Sequence, residues 1–116
     1  MKPPVPILRS FDERKMRDFY EGFLGFETSW THRFEEGLPL YCELRRGDCV
    51  LHLSEHHGDA TPGSALRIEV PDIDAFHAAL PKDYGNACPG IGTQPWGREV
   101  CVTDPFGNRL IFWQAP

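Results

Sequence analysis

The chain is expected to be α+β, with two βαβββ modules that curve a mixed sheet around a cleft. Three observations predict this. A strand-like run, an Asp-capped amphipathic helix and several further strand-like runs occur twice, with the capping residues Asp12 and Asp72 sixty positions apart. A polar, turn-rich segment, EHHGDATPGS (55–64), separates the two copies. Each half is too small to bury both faces of its own sheet, so it must pack against another copy. The expected organisation is one domain over residues 1–116, with modules at about 1–57 and 62–116.

Each element has its own signal. Val5 to Phe11 reads as a strand, and Pro3, Pro4 and Pro6 put it at a sheet edge or in an arm, because proline donates no ladder hydrogen bond. After Asp12, the residues Met16, Phe19, Tyr20 and Phe23 recur at helical spacing, and Gly25 ends the helix. Strands are expected over Phe26–Phe34, Leu38–Arg45 and Cys49–Ser54, with Arg46-Gly47-Asp48 as the tight turn between the last two. The second half has a strand over Ala65–Val70 and a helix from Asp72 with Ile73, Phe76 and Leu80 as its apolar stripe, stopped by Pro81. A short strand is expected around Cys88–Gly92. Val100–Thr103 and Arg109–Trp113 then flank the turn Asp104-Pro105-Phe106-Gly107-Asn108.

Composition narrows the function. The 116 residues carry 12 Lys+Arg against 17 Asp+Glu, a net charge of −5, with 41% hydrophobic and 25% charged residues. These fractions are those of an ordinary globular domain. The acidic balance argues against a nucleic-acid partner, which needs clustered cations, and favours a cationic one. The opening MKPPVPILRS holds no apolar run of signal-peptide length, and no stretch approaches a membrane span, so a cytoplasmic location and no membrane partner are expected. Cys42, Cys49, Cys88 and Cys101 form no CxxC pair, which suits reduced thiols.

Three short segments carry a family resemblance. Asp104 to Leu110 resembles the DP-x-GN turn, and Leu24-Gly25-Phe26 the LGF, of the vicinal oxygen chelate superfamily (glyoxalases, extradiol dioxygenases and antibiotic-resistance proteins). Gln94-Pro95-Trp96-Gly97-Arg98-Glu99 is similar to the segment before the last hairpin of bleomycin-resistance proteins. The resemblance implies the glyoxalase/bleomycin resistance fold. In its enzymes four inward-facing side chains hold a divalent metal, and counting from the motifs puts those positions near Val5, His52, Ala65 and Ile111. Val, Ala and Ile offer no lone pair, so no metal, no cofactor and no catalytic residue is expected.

The resemblance to bleomycin-resistance proteins, which make the same departure, implies a binding role without turnover, with a cationic, aromatic glycopeptide of the bleomycin type as ligand. Trp96, held between Pro95 and Gly97, is placed to stack on a flat ligand, with Trp30, Phe34 and Tyr41 as the facing wall and His52 nearby. Glu35, Glu36, Glu43 and Asp48 would suit a cationic tail. The alternatives are burial of Trp96 in the hairpin core and packing of Trp30 and Phe34 under the sheet. Trp113 is assigned to the core. His56 and His57 are adjacent and point apart on extended chain, so they read as a solvated turn. The resemblance further implies a homodimer with clefts between subunits, and Pro3, Pro4 and Pro6 would stiffen an extended arm able to reach a neighbour. Two other functions stay open: a metal-dependent lyase, dioxygenase or thiol transferase, and a binding module for another aromatic metabolite.

Overall fold

The computed structural model describes residues 1–82 and 89–116. Its elements are β1 (Ile7–Arg9), α1 (Glu13–Arg17), a π-helical segment (Asp18–Phe23), β2 (Glu27–His32), β3 (Tyr41–Arg46) and β4 (Cys49–Ser54), then β5 (Ala65–Glu69), α2 (Ile73–Ala79), β6 (Gly92–Gln94), β7 (Gly97–Thr103) and β8 (Arg109–Gln114). They form two mixed four-stranded sheets with the same connectivity, in orders β1-β4-β3-β2 and β5-β8-β7-β6. In each, the first strand runs parallel to the last and the other pairs are antiparallel. The architecture is α+β with two βαβββ modules, as expected.

Both helices start where the sequence puts them. The Asp12 and Asp72 carboxylates accept from the backbone N–H groups of Lys15 (2.9 Å) and Ala75 (3.0 Å). Met16, Phe19, Tyr20 and Phe23 are all buried. The first helix is not α throughout, however. After Arg17 it widens into a π turn, with Leu24 N–H bonded to Phe19 O at 2.9 Å. A wider turn lessens the angle between neighbouring side chains, which lets the adjacent rings of Phe19 and Tyr20 enter one core. Gly25 then turns the chain at φ +74°. The second helix ends on Leu80, extended at ψ 132° ahead of Pro81.

Several strands are shorter or shifted. β1 spans only Ile7–Arg9 and is an edge strand. Pro6 contributes its carbonyl alone, to His52 N–H at 2.9 Å. β2 ends at His32, because the chain turns through Glu35–Leu38 with Gly37 at φ +83°, so Phe34 lies beyond the strand. β3 begins at Tyr41, past Pro39. Of the strand expected around Cys88–Gly92, Cys88 lies outside the described residues. The strand present is β6, which pairs with β7 through the two-residue turn Pro95-Trp96.

The core lies between the helices and one face of each sheet and runs through both modules. A buried clasp joins them at the Asp104–Asn108 turn. The Asp104 carboxylate accepts from Tyr20 Oη (2.7 Å), Asn108 Nδ2 (2.8 Å) and the backbone N–H groups of Phe106 (2.9 Å) and Asn108 (2.8 Å). Asn108 Nδ2 also donates to the Arg9 carbonyl, 99 residues away, at 2.8 Å. The motif that resembled a family signature thus ties the last hairpin to the first helix and the first strand.

Candidate functional site

Strand alternation decides which side chains face away from the core. Cys42 and Leu44 are buried on β3 and Leu51 and Leu53 on β4, so Tyr41, Glu43 and His52 stand on the opposite, open face. Across β2, Trp30 pairs with Glu43 and His32 with Tyr41 beyond a bulge at Thr28–Trp30. Trp30 stacks on Tyr41 with centroids 5.8 Å apart and planes at 10°, and His52 meets both rings edge-on at 5.4 and 5.2 Å. Phe34 meets His32 at 4.9 Å and His56 at 6.3 Å, which continues the aromatic surface beyond the strands. Trp30 keeps 43% of its surface exposed and Phe34 74%, so neither packs beneath the sheet.

A chain of polar contacts runs through the rings. Tyr41 Oη lies 2.7 Å from His52 Nδ1, and His52 Nε2 lies 3.1 Å from Glu43 Oε1. Glu43 Oε2 accepts from Arg45 Nε at 3.1 Å. The hydrogen bond to His52, with Arg45 beside it, holds the Glu43 carboxyl below its ordinary range. Burial, with the charge of Asp59, pushes the Tyr41 phenol above its own. The face thus carries an ionised carboxylate and a protonated phenol.

Trp96 stands apart from this cluster, on the second sheet. It sits at the tip of the β6–β7 turn, 52% exposed rather than buried in the hairpin, and its indole N–H donates to Glu99 Oε2 at 3.2 Å. Glu99 also accepts from Arg67 Nη1 at 3.4 Å, and the Arg67 guanidinium covers the Trp113 ring at 4.9 Å. Trp113 is therefore not a core residue. Leu110 and Phe112 take the buried face of β8, and Ile111 and Trp113 take the other. Among the described residues no ring contact joins Trp96 to Trp30, Phe34 or Tyr41. The structure brings together Trp30, Tyr41 and His52, sets Phe34 at their margin, and puts Trp96 on a second open face.

Of this arrangement, Arg67 is not singled out by the sequence, Glu99 enters only through the Trp96 motif, and Trp113 is expected in the core. Period-two alternation would have found Trp113, since it shares a face with Ile111.

The residues present do not fit the metal of the superfamily's enzymes. Val5 precedes β1, Ala65 lies on β5 and Ile111 on β8, and all three side chains are hydrocarbon. Both ring nitrogens of His52 are engaged by Tyr41 and Glu43. Among the described residues no three His, Cys, Asp or Glu side chains are grouped to hold an ion.

Paired βαβββ modules of identical strand order, with the helices on one side of each sheet and aromatic residues on the other, are the glyoxalase/bleomycin resistance fold. The chain belongs to the glyoxalase superfamily, whose family model, described as "Glyoxalase superfamily protein", matches residues 1–115. Among solved structures it is similar to a bleomycin-binding protein from the bleomycin producer Streptomyces verticillus, complexed with copper(II)-bleomycin. Identity is 35%, coverage 100% of this chain and 98% of that one, and the TM-score 0.69. An antibiotic binding protein from Streptomyces sp. CB03234 is 26% identical, with 99% and 98% covered and a TM-score of 0.74. A glyoxalase/bleomycin resistance protein from the same organism is also 26% identical, with 96% and 100% covered and a TM-score of 0.71. Comparison with curated proteins gives no match. Among the described residues no helix is long and apolar enough to cross a membrane.

Proposed function

We propose that this protein binds a cationic, aromatic antibiotic of the bleomycin type and sequesters it without turnover. The observation that carries the proposal is the open Trp30–Tyr41–His52 ring cluster with the Glu43 carboxylate beside it. Stacked rings fixed by a sheet offer a flat ligand contact area at little entropic cost, and a neighbouring carboxylate favours a cation. The similar Streptomyces verticillus protein, solved with copper(II)-bleomycin, supports the same ligand class. Trp96 is a second exposed ring, at the hairpin tip of the other sheet, and offers a further stacking surface.

We further propose a symmetric homodimer with two equivalent clefts. Val5, Ile7, Trp30 and Trp96 are exposed apolar residues on the arm and on the two open faces, and a second copy would cover part of them. Light scattering coupled to size exclusion tests this, and a monomer at micromolar concentration would refute it. Binding is tested by following tryptophan emission and heat during titration with bleomycin. Saturable binding that weakens in Trp96→Ala and Trp30→Ala supports the proposal. Absence of both signals refutes bleomycin as the ligand.

A further inference from the structure

The chain Tyr41–His52–Glu43 fixes the direction of its own hydrogen bonds. Glu43 carries an ionised carboxylate, which can only accept, so the hydrogen between it and His52 sits on Nε2. In the neutral imidazole the other nitrogen then has no hydrogen and must accept. Nδ1 therefore takes the hydrogen of the Tyr41 hydroxyl, 2.7 Å away. The phenol has spent its one donor on His52 and presents lone pairs alone to the open face. Each step follows from the partner before it, and the starting point is the carboxylate at the far end.

Trp30 gives this polarity a location. Its ring lies parallel to Tyr41 with centroids 5.8 Å apart, so the hydroxyl stands at the rim of a stacked pair that a planar group can join. Two further charged groups bear on this chain of contacts: Arg45 pairs with Glu43, and the charge of Asp59 acts on Tyr41.

Resting on the binding role proposed above, we infer that His52, as the neutral imidazole, is a positioning residue that turns the Tyr41 hydroxyl into an acceptor toward the open face. The face thereby selects a planar ligand that presents an N–H donor, an ammonium or amide group, at the edge of the stack. A planar ligand with an acceptor-only edge, such as a carboxylate, meets lone pairs opposite lone pairs and is rejected. The selectivity lies in the His52 tautomer, whereas the rings supply contact area to both kinds of ligand.

Two measurements test this at pH 8, above the ordinary imidazole range. The first uses the ligand-free protein: the ¹⁵N shifts of the His52 ring report the tautomer. A protonated Nε2 with a bare Nδ1 is expected, and a protonated Nδ1 overturns the inference. The second titrates a matched pair of probes, 1-naphthylmethylamine and 1-naphthoate, followed by the Trp30 indole N–H resonance. The amine should bind more tightly in the wild type. In Tyr41→Phe that preference should fall about tenfold, the worth of one hydrogen bond to a charged group. In His52→Leu the freed hydroxyl can donate, so the carboxylate should gain relative to the amine. An unchanged preference in both variants overturns the inference, because a merely structural role would alter both affinities together. Failure to bind bleomycin while the tautomer and probe preference hold would refute the ligand proposed above and leave this inference standing. The wrong tautomer in a protein that binds bleomycin would do the reverse.

Discussion

Replacing Tyr20 by Phe isolates the clasp between the modules. The Tyr20 ring is 0% exposed and Asp104 5%, so neither the hydroxyl nor the carboxylate has water to fall back on. Phe keeps the ring and its packing and deletes one of the four donors to Asp104. A hydrogen bond to a charged acceptor contributes about 1.5–3 kcal/mol. With about 2.1 cal/mol/K of unfolding entropy per residue, the 116-residue chain loses roughly 4 °C of Tm per kcal/mol. The variant should therefore melt about 6–12 °C below wild type. Urea unfolding followed by circular dichroism should show a lower midpoint with an unchanged slope. A loss under about 0.5 kcal/mol, with Tm within about 2 °C, would refute the clasp as a source of stability.

Two further substitution and labelling experiments bear on the hairpin and on the core. At Gly97, φ is +141° and an added Cβ would lie 2.2 Å from the Gln114 carbonyl oxygen, so Gly97→Ala should cost about 2–5 kcal/mol and shift the emission of Trp96 at the hairpin tip. Wild-type stability and emission would show that the hairpin tolerates a side chain there. Burial pushes the Cys42 thiol up to about 11, whereas Cys101 is exposed. Iodoacetamide near neutral pH should therefore modify Cys101 and spare Cys42 until denaturant is added, as read by peptide mass mapping. Equal labelling of the two in the native protein would contradict that burial.

Local signals in the sequence account for much of the fold. Asp12 and Asp72 cap helices because a short acceptor side chain meets free N–H groups, and that needs no tertiary context. The prolines before Ile7 mark an edge strand for an equally local reason. The π turn after Arg17 was hidden, because it follows from fitting Phe19 and Tyr20 into a core shared with the second module. Within the site, the pairing of Glu43 with His52 could have been counted outward from the Gly47-Asp48 turn, since the hairpin fixes its register. Trp30 could not be set over Tyr41 that way, because a bulge and a long connection intervene. The separation of Trp96 from the Trp30 cluster was equally out of reach, since it depends on how the two sheets are formed. Trp113 was misassigned because proximity in sequence to Phe112 outweighed strand parity.

The most direct test is calorimetric titration of the protein with bleomycin. The proposed function predicts saturable binding of one drug molecule per chain, with the drug recovered chemically unchanged after release. No heat across the titration, or recovery of an altered drug, would contradict it.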